Sequence, residues 1–390
     1  MSFNMYVPTR IVFGEGAAKS IHEQALPGKK ALIVISNGKS TRDHGYLALL
    51  EGQLKQAGVA AVVFDEIQPN PLQSTVMKGA AVAKQNGCDV VIALGGGSVM
   101  DAAKAIAFMA THPGELWDYI SSGTGKALPM KNKPLPIVCV TTTAGTGSEA
   151  DPWGVITNDE THEKIGFGGW DELFPVLSIV DPALMASVPP RLTAYQGFDA
   201  LFHATESYIS KFANLMSDMY ALTSIENVAE YLPRAVKDGG DAAARERMAF
   251  ANTLSGIVMT VSETTAEHSI EHAMSAYHQD LPHGAGLIMI SRAFYEFFVE
   301  RHACDARFIC MARAMGVERA DKPEDFIAAL VDLQRACGVA DLKMSDYGIA
   351  PDEFEKIAKN ARETMGGLYD ANPCELTDAD VVEILRKSYK

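Results

Sequence analysis

The chain has 390 residues, 47% of them hydrophobic and 21% charged, a composition that excludes a disordered polymer and suits two domains, each with its own core. Its net charge of −15 argues against nucleic acid and anionic membrane as partners. No apolar stretch approaches the ~20 residues a bilayer requires, the six cysteines are scattered without a CxxC pair, and MSFNMYVPTR lacks the pattern of a signal peptide; a cytoplasmic protein is expected.

In chain order, RIVFGEGA (10–17) predicts a short strand followed by a turn. ALIVI (31–35) is a continuous apolar run, as in a strand buried on both faces. A helical pattern over 42–57 ends near Gly58, and AAVVFD (60–65) predicts the next strand. The prolines of PNPLQSTV make a loop that leads into a helix over 73–86. VVIALGGGS (90–98) and PIVCVTTTAGTGSE (136–149) each read as a strand running into a glycine turn, the first followed by a helix to about 110. LSIVDP (177–182) closes the series. Strand and helix alternating at this spacing predict an α/β domain, a parallel sheet with helices on both faces, over 1–185. Beyond Pro182, Pro189 and Pro190 the pattern turns helical: 192–211, 215–233, 241–262, 264–278, 285–315, 323–337, 351–364 and 377–388. An all-α domain is expected over 186–390.

Histidines concentrate in the second half. Asp199 and His203 are four apart in GFDALFHATES, as are His268 and His272 in EHSIEHAMSAYHQDLPHGAG, and His283 lies between Pro282 and Gly284. Residues four apart on a helix share a face, so each pair can aim two side chains at one point. Two such pairs, of His and carboxylate chemistry, point to a shared divalent metal site.

In the first half, Gly95, Gly96 and Gly97 remove Cβ atoms where a strand turns into a helix, and the amides of that first turn suit a phosphate. Ser98 and Asp101 have the spacing of a capping box. The turn is neither GxGxxG nor a P-loop. TTTAGTGSEA (141–150) follows another strand, and PNP (69–71) a third. Ligands of open α/β sheets bind at the carboxyl ends of strands, and three such loops suit one long ligand, such as a dinucleotide.

Together these segments resemble the iron-containing (group III) alcohol dehydrogenase family. The resemblance runs over nearly the whole chain: PNP, GGGSVMDAAKA, TTTAGTGSEA, VDPALMASVPP, GFDALFHATES, HSIEHAMSAYHQDLPHG and YDANP, in that order. It implies a Rossmann-like N-terminal domain that binds NAD(P) and a helical metal-binding domain, the architecture shared with dehydroquinate synthase. It implies Asp199, His203, His268 and His283 as metal ligands, Fe²⁺ with Zn²⁺ as the alternative, and His272 as the additional histidine near the nicotinamide. It implies the pyrophosphate at Gly95, Gly96, Gly97 and Ser98, with Asp101, Asn70, Thr142, Thr143, Thr146, Lys164 and Leu184 around the cofactor. Within the His272–His283 interval, His278 is a second candidate for the last ligand; the PHG context favours His283.

One departure bears on the cofactor. NAD-preferring members often carry Asp at the end of the second strand, whereas Ser36 stands there, followed by Asn37, Gly38 and Lys39. Without that acid, and with Lys39 to meet a 2′-phosphate, NADP(H) is favoured over NAD(H). The expected reaction is reversible oxidation of a small alcohol to an aldehyde by a homodimer or higher homo-oligomer, with His272 relaying the proton. A dehydroquinate-synthase-type lyase would need a cluster of Lys and Arg near the metal, and no basic run occurs around 199–283. A non-catalytic filament or interaction protein would have no use for the four ligands and both glycine turns.

Overall fold

The computed structural model describes residues 3–390 and forms two compact units. The first, Val7–Ser187, contains every strand of the described residues; the second comprises Val188–Lys390 with residues 3–6.

In chain order the first unit contains β1 (Arg10–Phe13), β2 (Lys30–Ser36), a single turn α1 (Ser40–Asp43), α2 (Tyr46–Gln56), β3 (Ala60–Ile67), α3 (Gln73–Asn86), β4 (Val90–Gly95), α4 (Gly97–Met109), β5 (Ile137–Thr141), β6 (Trp153–Asn158), β7 (Glu163–Gly168) and β8 (Leu177–Val180). Six strands form one sheet in the order β1-β8-β5-β4-β2-β3, every pair parallel. The apolar runs of β2, β4 and β5 are buried along almost their whole length because both faces are covered. Alternate residues feed two cores. Ile33, Ile35, Ile92 and Leu94 pack with Leu47, Leu50 and Leu54 of α2. Leu32, Val34, Val91 and Ala93 pack with Val76 and Ala80 of α3 and with most of α4. Cys139, at the centre of β5, is fully buried, and burial pushes its thiol up to about 12.

The helices after β2 and β4, α2 and α4, thus lie on opposite faces of the sheet although β2 and β4 are neighbours. That reversal is the topological switch point, where the loops leaving two adjacent carboxyl ends diverge and open a crevice.

The sequence pattern does not announce the antiparallel hairpin β6–β7. Gly154 and Gly166 interrupt its alternation, so neither strand shows a period of two.

The second unit is helical throughout: α5 (Pro190–Ile209), α6 (Leu215–Lys237), α7 (Ala242–Val261), α8 (Ala266–Tyr277), α9 (His283–Glu300), α10 (Asp305–Ala314), α11 (Glu324–Ala336), α12 (Phe354–Met365), the single turn α13 (Gly367–Asp370) and α14 (Asp378–Ser388). α5 is buried from Thr193 to Ile209 with the exception of Gln196 and packs against α6, α7 and α9. The helix expected over 285–315 is two helices. His302 adopts a left-handed conformation (φ 50°) and the Ala303 amide donates back to the Phe298 carbonyl, which ends α9. No glycine marks this stop, so the periodicity runs through it. Cys337 follows α11, buried, with its thiol raised by burial to about 12. Among the described residues, no helix is long and apolar enough to cross a membrane.

Candidate active site

Three helices of the second unit bring the histidines together. Asp199 and His203 lie one turn apart on α5, His268 and His272 one turn apart on α8, and His283 is the first residue of α9. Proline at 282 starts α9, and two glycines let it approach its neighbours. A Cβ on Gly284 would stand 2.1 Å from the Tyr195 carbonyl oxygen of α5, and one on Gly286 would stand 2.7 Å from Cγ of Glu271 on α8.

Asp199 Oδ1 is the hub. It lies 3.6 Å from His268 Nε2, 3.4 Å from His283 Nε2 and 3.6 Å from His203 Nδ1. Asp199, His268 and His283 each offer a donor atom within 4.8 Å of the other two. Asp199 Oδ1 and His268 Nε2 are buried without a hydrogen-bond partner, an arrangement a bound cation would satisfy. One carboxylate and several imidazoles suit Zn²⁺ or Fe²⁺, so the residues fit such an ion. His203 lies outside the group of three; its ring stacks on His268, centroids 4.3 Å apart. His278 turns to Glu353, 3.1 Å from its Nε2, which leaves His283 as the histidine of its loop that joins the cluster.

The acids and imidazoles of the cluster also shift one another's titration. Burial alone would raise the Asp199 carboxyl, but the imidazoles of His203, His283 and His268 beside it hold it well below its ordinary value. Burial would lower His268, yet Glu206 and Asp199 raise it to about 10. The two shifts report the mutual attraction of buried acids and imidazoles.

Two carboxylates that the sequence reasoning missed stand behind the histidines. Glu206 accepts from Nδ1 of His268 and from the amide (2.8 Å) and hydroxyl (2.7 Å) of Thr265; Glu271 pairs with Nδ1 of His283. Both are fully buried. Their signal was the helical stripe itself: Glu206 is seven residues, two turns, beyond Asp199 on the same face of α5. His272 Nδ1 lies 2.8 Å from the Met365 sulfur, and the His272 ring lies 5.3 Å from that of His283. Glu271, His272 and His283 form a second group of donor atoms within 4.8 Å of one another.

In the first unit, the glycine turn after β4 abuts the loop after β5. A Cβ on Gly96 would stand 2.8 Å from Thr143 Cγ2, and one on Gly97 2.2 Å from Thr146 Cγ2; the Thr142 amide donates to the Gly95 carbonyl at 3.0 Å. α4 begins at Gly97 with no side-chain cap, so the capping box expected of Ser98 and Asp101 does not form. Asp101 reaches away instead, accepting from Ser148 Oγ (2.8 Å) and the Val155 amide (3.0 Å). Burial raises its carboxyl to about 6 against the lowering effect of Lys104. Lys104 is wholly buried and donates to Ser148 Oγ (2.7 Å), Asp151 Oδ1 (3.1 Å) and the Trp153 carbonyl (2.5 Å). Helix, threonine loop and hairpin are thereby tied to one another.

The hairpin also supports the PNP turn. Lys164 Nζ of β7 donates to Asn70 Oδ1 at 3.0 Å, and the Thr157 amide of β6 to the Pro71 carbonyl at 2.9 Å. Asn70 is held in a left-handed conformation (φ 52°). Ser36 is half-buried at the carboxyl end of β2, and Asn37 and Lys39 are exposed just beyond it. Leu184 is buried in the 3₁₀ turn Pro182–Met185 after β8. Ser36 and Gly95 thus end β2 and β4, and Asn70 and Thr142 follow β3 and β5, at the carboxyl ends of the strands on either side of the switch point.

A family model described as "Iron-containing alcohol dehydrogenase" matches residues 8–182, and one described as "Fe-containing alcohol dehydrogenase family, C-terminal" matches 193–389. The chain belongs to the iron-containing alcohol dehydrogenase family. It is 34% identical to a 1,3-propanediol dehydrogenase of Klebsiella pneumoniae, with all of both chains covered. It is 32% identical to an NAD-dependent methanol dehydrogenase of Bacillus methanolicus, with 99% of each covered. The crystal structure of the archaeal alcohol dehydrogenase ADH/D1 from a Red Sea brine pool superposes with a TM-score of 0.94 at 38% identity, covering 100% of this chain and 99% of that one. The protein is therefore an oxidoreductase of the alcohol dehydrogenase type, and the lyase and filament readings are not favoured.

Proposed function

We propose that this family member is a divalent-metal, NAD(P)-linked enzyme that interconverts small primary alcohols and aldehydes. Asp199, His203, His268 and His283 are the proposed ligands, and the observation that carries the reading is the approach of His268 Nε2 and His283 Nε2 to Asp199 Oδ1. The cofactor is assigned to Gly95–Ser98, Thr142, Thr143, Thr146, Asn70 and Lys164, with Leu184 beside them. When bound, the ion supplies Lewis acidity toward the substrate oxygen and the nicotinamide exchanges hydride. The protein's own part is geometric and protonic. The glycine turn offers amides to the pyrophosphate, Asp199 supplies the one negative ligand, and His272 holds the proton that leaves or joins the substrate hydroxyl.

NADP(H) is the proposed preference, although the Bacillus methanolicus relative is named for NAD. Exposed Lys39 and half-buried Ser36, in a loop without an acid, support it. We also read the protein as a cytoplasmic homo-oligomer, consistent with six free cysteines.

The test follows nicotinamide absorbance with short alcohols and aldehydes before and after chelation. Activity should vanish on metal removal and return with Fe²⁺ or Zn²⁺. Full activity in metal-free protein would falsify the assignment. A second reading of His272 rests on its grouping with Glu271 and His283: it would be a ligand itself. His272→Ala decides between them. As a proton relay its loss lowers kcat about 10²–10⁴-fold with the metal retained; as a ligand its loss releases the metal.

A further inference from the structure

We infer that Glu206 and Glu271 are positioning residues of the metal centre, which fix the orientation and proton of His268 and His283. The inference rests on the proposed ligand set above. An imidazole has two ring nitrogens, and only the one without hydrogen can hold a metal ion. Glu206 faces Nδ1 of His268 and Glu271 faces Nδ1 of His283. Each carboxylate accepts a hydrogen bond there, keeps the proton on Nδ1 and leaves the Nε2 lone pair to point inward. Those two Nε2 atoms are the ones near Asp199 Oδ1, at 3.6 and 3.4 Å.

Cost argues that the carboxylates are there for this purpose. Each is fully buried, and burying a carboxylate is expensive unless a cation or several donors compensate it. Glu206 meets donors from Thr265 and His268 but no Lys or Arg. Three buried carboxylates, Asp199, Glu206 and Glu271, therefore surround the histidines, and a divalent cation would offset two of their three charges.

Glu271 has a further mark of design. The space its carboxylate occupies exists because residue 286 is glycine: a Cβ there would stand 2.7 Å from Glu271 Cγ and 2.9 Å from Oε1. Gly286 lies in the first turn of α9, three residues after His283. The same turn thus carries the histidine and makes room for the acid that orients it.

The experiment uses the full-length chain, stripped by chelation and titrated with Zn²⁺ in competition with a chromophoric chelator. The Co²⁺-substituted protein gives an absorption spectrum that reports ligand geometry, and circular dichroism of the metal-free variants reports folding. Glu271→Ala and Glu206→Ala should each weaken Zn²⁺ binding about 10- to 100-fold and shift the Co²⁺ spectrum. Glu271→Gln keeps an oxygen that accepts from Nδ1–H and should recover most of the loss. Gly286→Ala, which displaces the carboxylate without removing it, should weaken Zn²⁺ in the same direction and stands in if Glu271→Ala does not fold. Wild-type Zn²⁺ affinity and Co²⁺ spectrum in the folded Glu variants overturn the inference, as does Glu271→Gln binding no better than Glu271→Ala. Asp199→Ala separates the two levels. If it holds Zn²⁺ like wild type, the ligand set itself is wrong; if it loses Zn²⁺ while the Glu variants keep it, only the positioning role fails.

Discussion

The ammonium of Lys104 and the hydroxyl of Ser148 meet at 2.7 Å, both buried, and join the helix that follows one glycine turn to the loop that follows the next strand. The same ammonium holds Asp151 at 3.1 Å. Removing one member of a buried ion pair costs ~3–5 kcal/mol, because the partner is left charged and unpaired. Lys104→Met should therefore lower the unfolding midpoint in urea and raise KM for the nicotinamide, since both loops lose their tie. An unchanged midpoint, measured by fluorescence, counts against this account of the buried lysine.

The contact between Gly97 and Thr146 makes a second prediction. In Gly97→Ala the new methyl would overlap Thr146 Cγ2 and Oγ1. Overpacking of this kind costs ~1–3 kcal/mol, which is about five- to a hundredfold if it falls on cofactor binding. The double variant Gly97→Ala/Thr146→Gly should recover much of the loss. Cofactor KM across the three proteins checks it.

Glu163 predicts a pH dependence. Its carboxylate accepts from Trp117 Nε1 (3.0 Å), the Thr124 amide (2.7 Å), Thr124 Oγ1 and Thr161 Oγ1 (2.7 Å). Burial pushes the carboxyl up, but these four donors outweigh it and hold it below its ordinary 4.5. The folded state thus prefers the ionised form. The stabilisation is complete above pH 4.5 and is lost as pH falls through the lower folded value. Glu163→Gln should cost ~1–3 kcal/mol at neutral pH, and the gap between variant and wild type should narrow below pH 4.5. Urea denaturation of both proteins over that range tests the sign: a constant gap refutes it.

Cofactor choice turns on Ser36. An Asp at the end of the second strand accepts hydrogen bonds from the ribose hydroxyls and repels a 2′-phosphate. With Ser36 there and Lys39 exposed nearby, a phosphate contact of ~1.5–3 kcal/mol favours NADP(H) by about ten- to a hundredfold in kcat/KM. Ser36→Asp should reverse the order. A wild type that prefers NADH, or a variant with an unaltered preference, ends the argument.

The alternation of strand and helix was legible because each element has its own period: ALIVI and VVIALG announce strands covered on both faces, and the i,i+4 pairs announce acid and imidazole side chains that share one helical face. The β6–β7 hairpin was not legible, since Gly154 and Gly166 break its alternation and its reason for being lies in tertiary contacts with Asp101, Lys104 and Asn70. Asp101 shows the same limit. Its spacing from Ser148 in sequence says nothing of the bond between them, and the local capping rule gave it the wrong partner. Glu206 and Glu271 were hidden for another reason: a buried acid behind a histidine looks in sequence like any charged residue on an amphipathic helix.

Cys139 on β5 and Cys337 after α11 are buried, one in each unit, with thiols held near 12. A thiol so placed does not form thiolate at neutral pH and does not meet reagent while its surroundings stay packed. The two sulfurs are therefore built-in clocks. Under mild denaturant, the rate at which each is alkylated, read peptide by peptide in a mass spectrometer, times the opening of the sheet and of the helices separately, and tells whether one half of the chain lets go before the other.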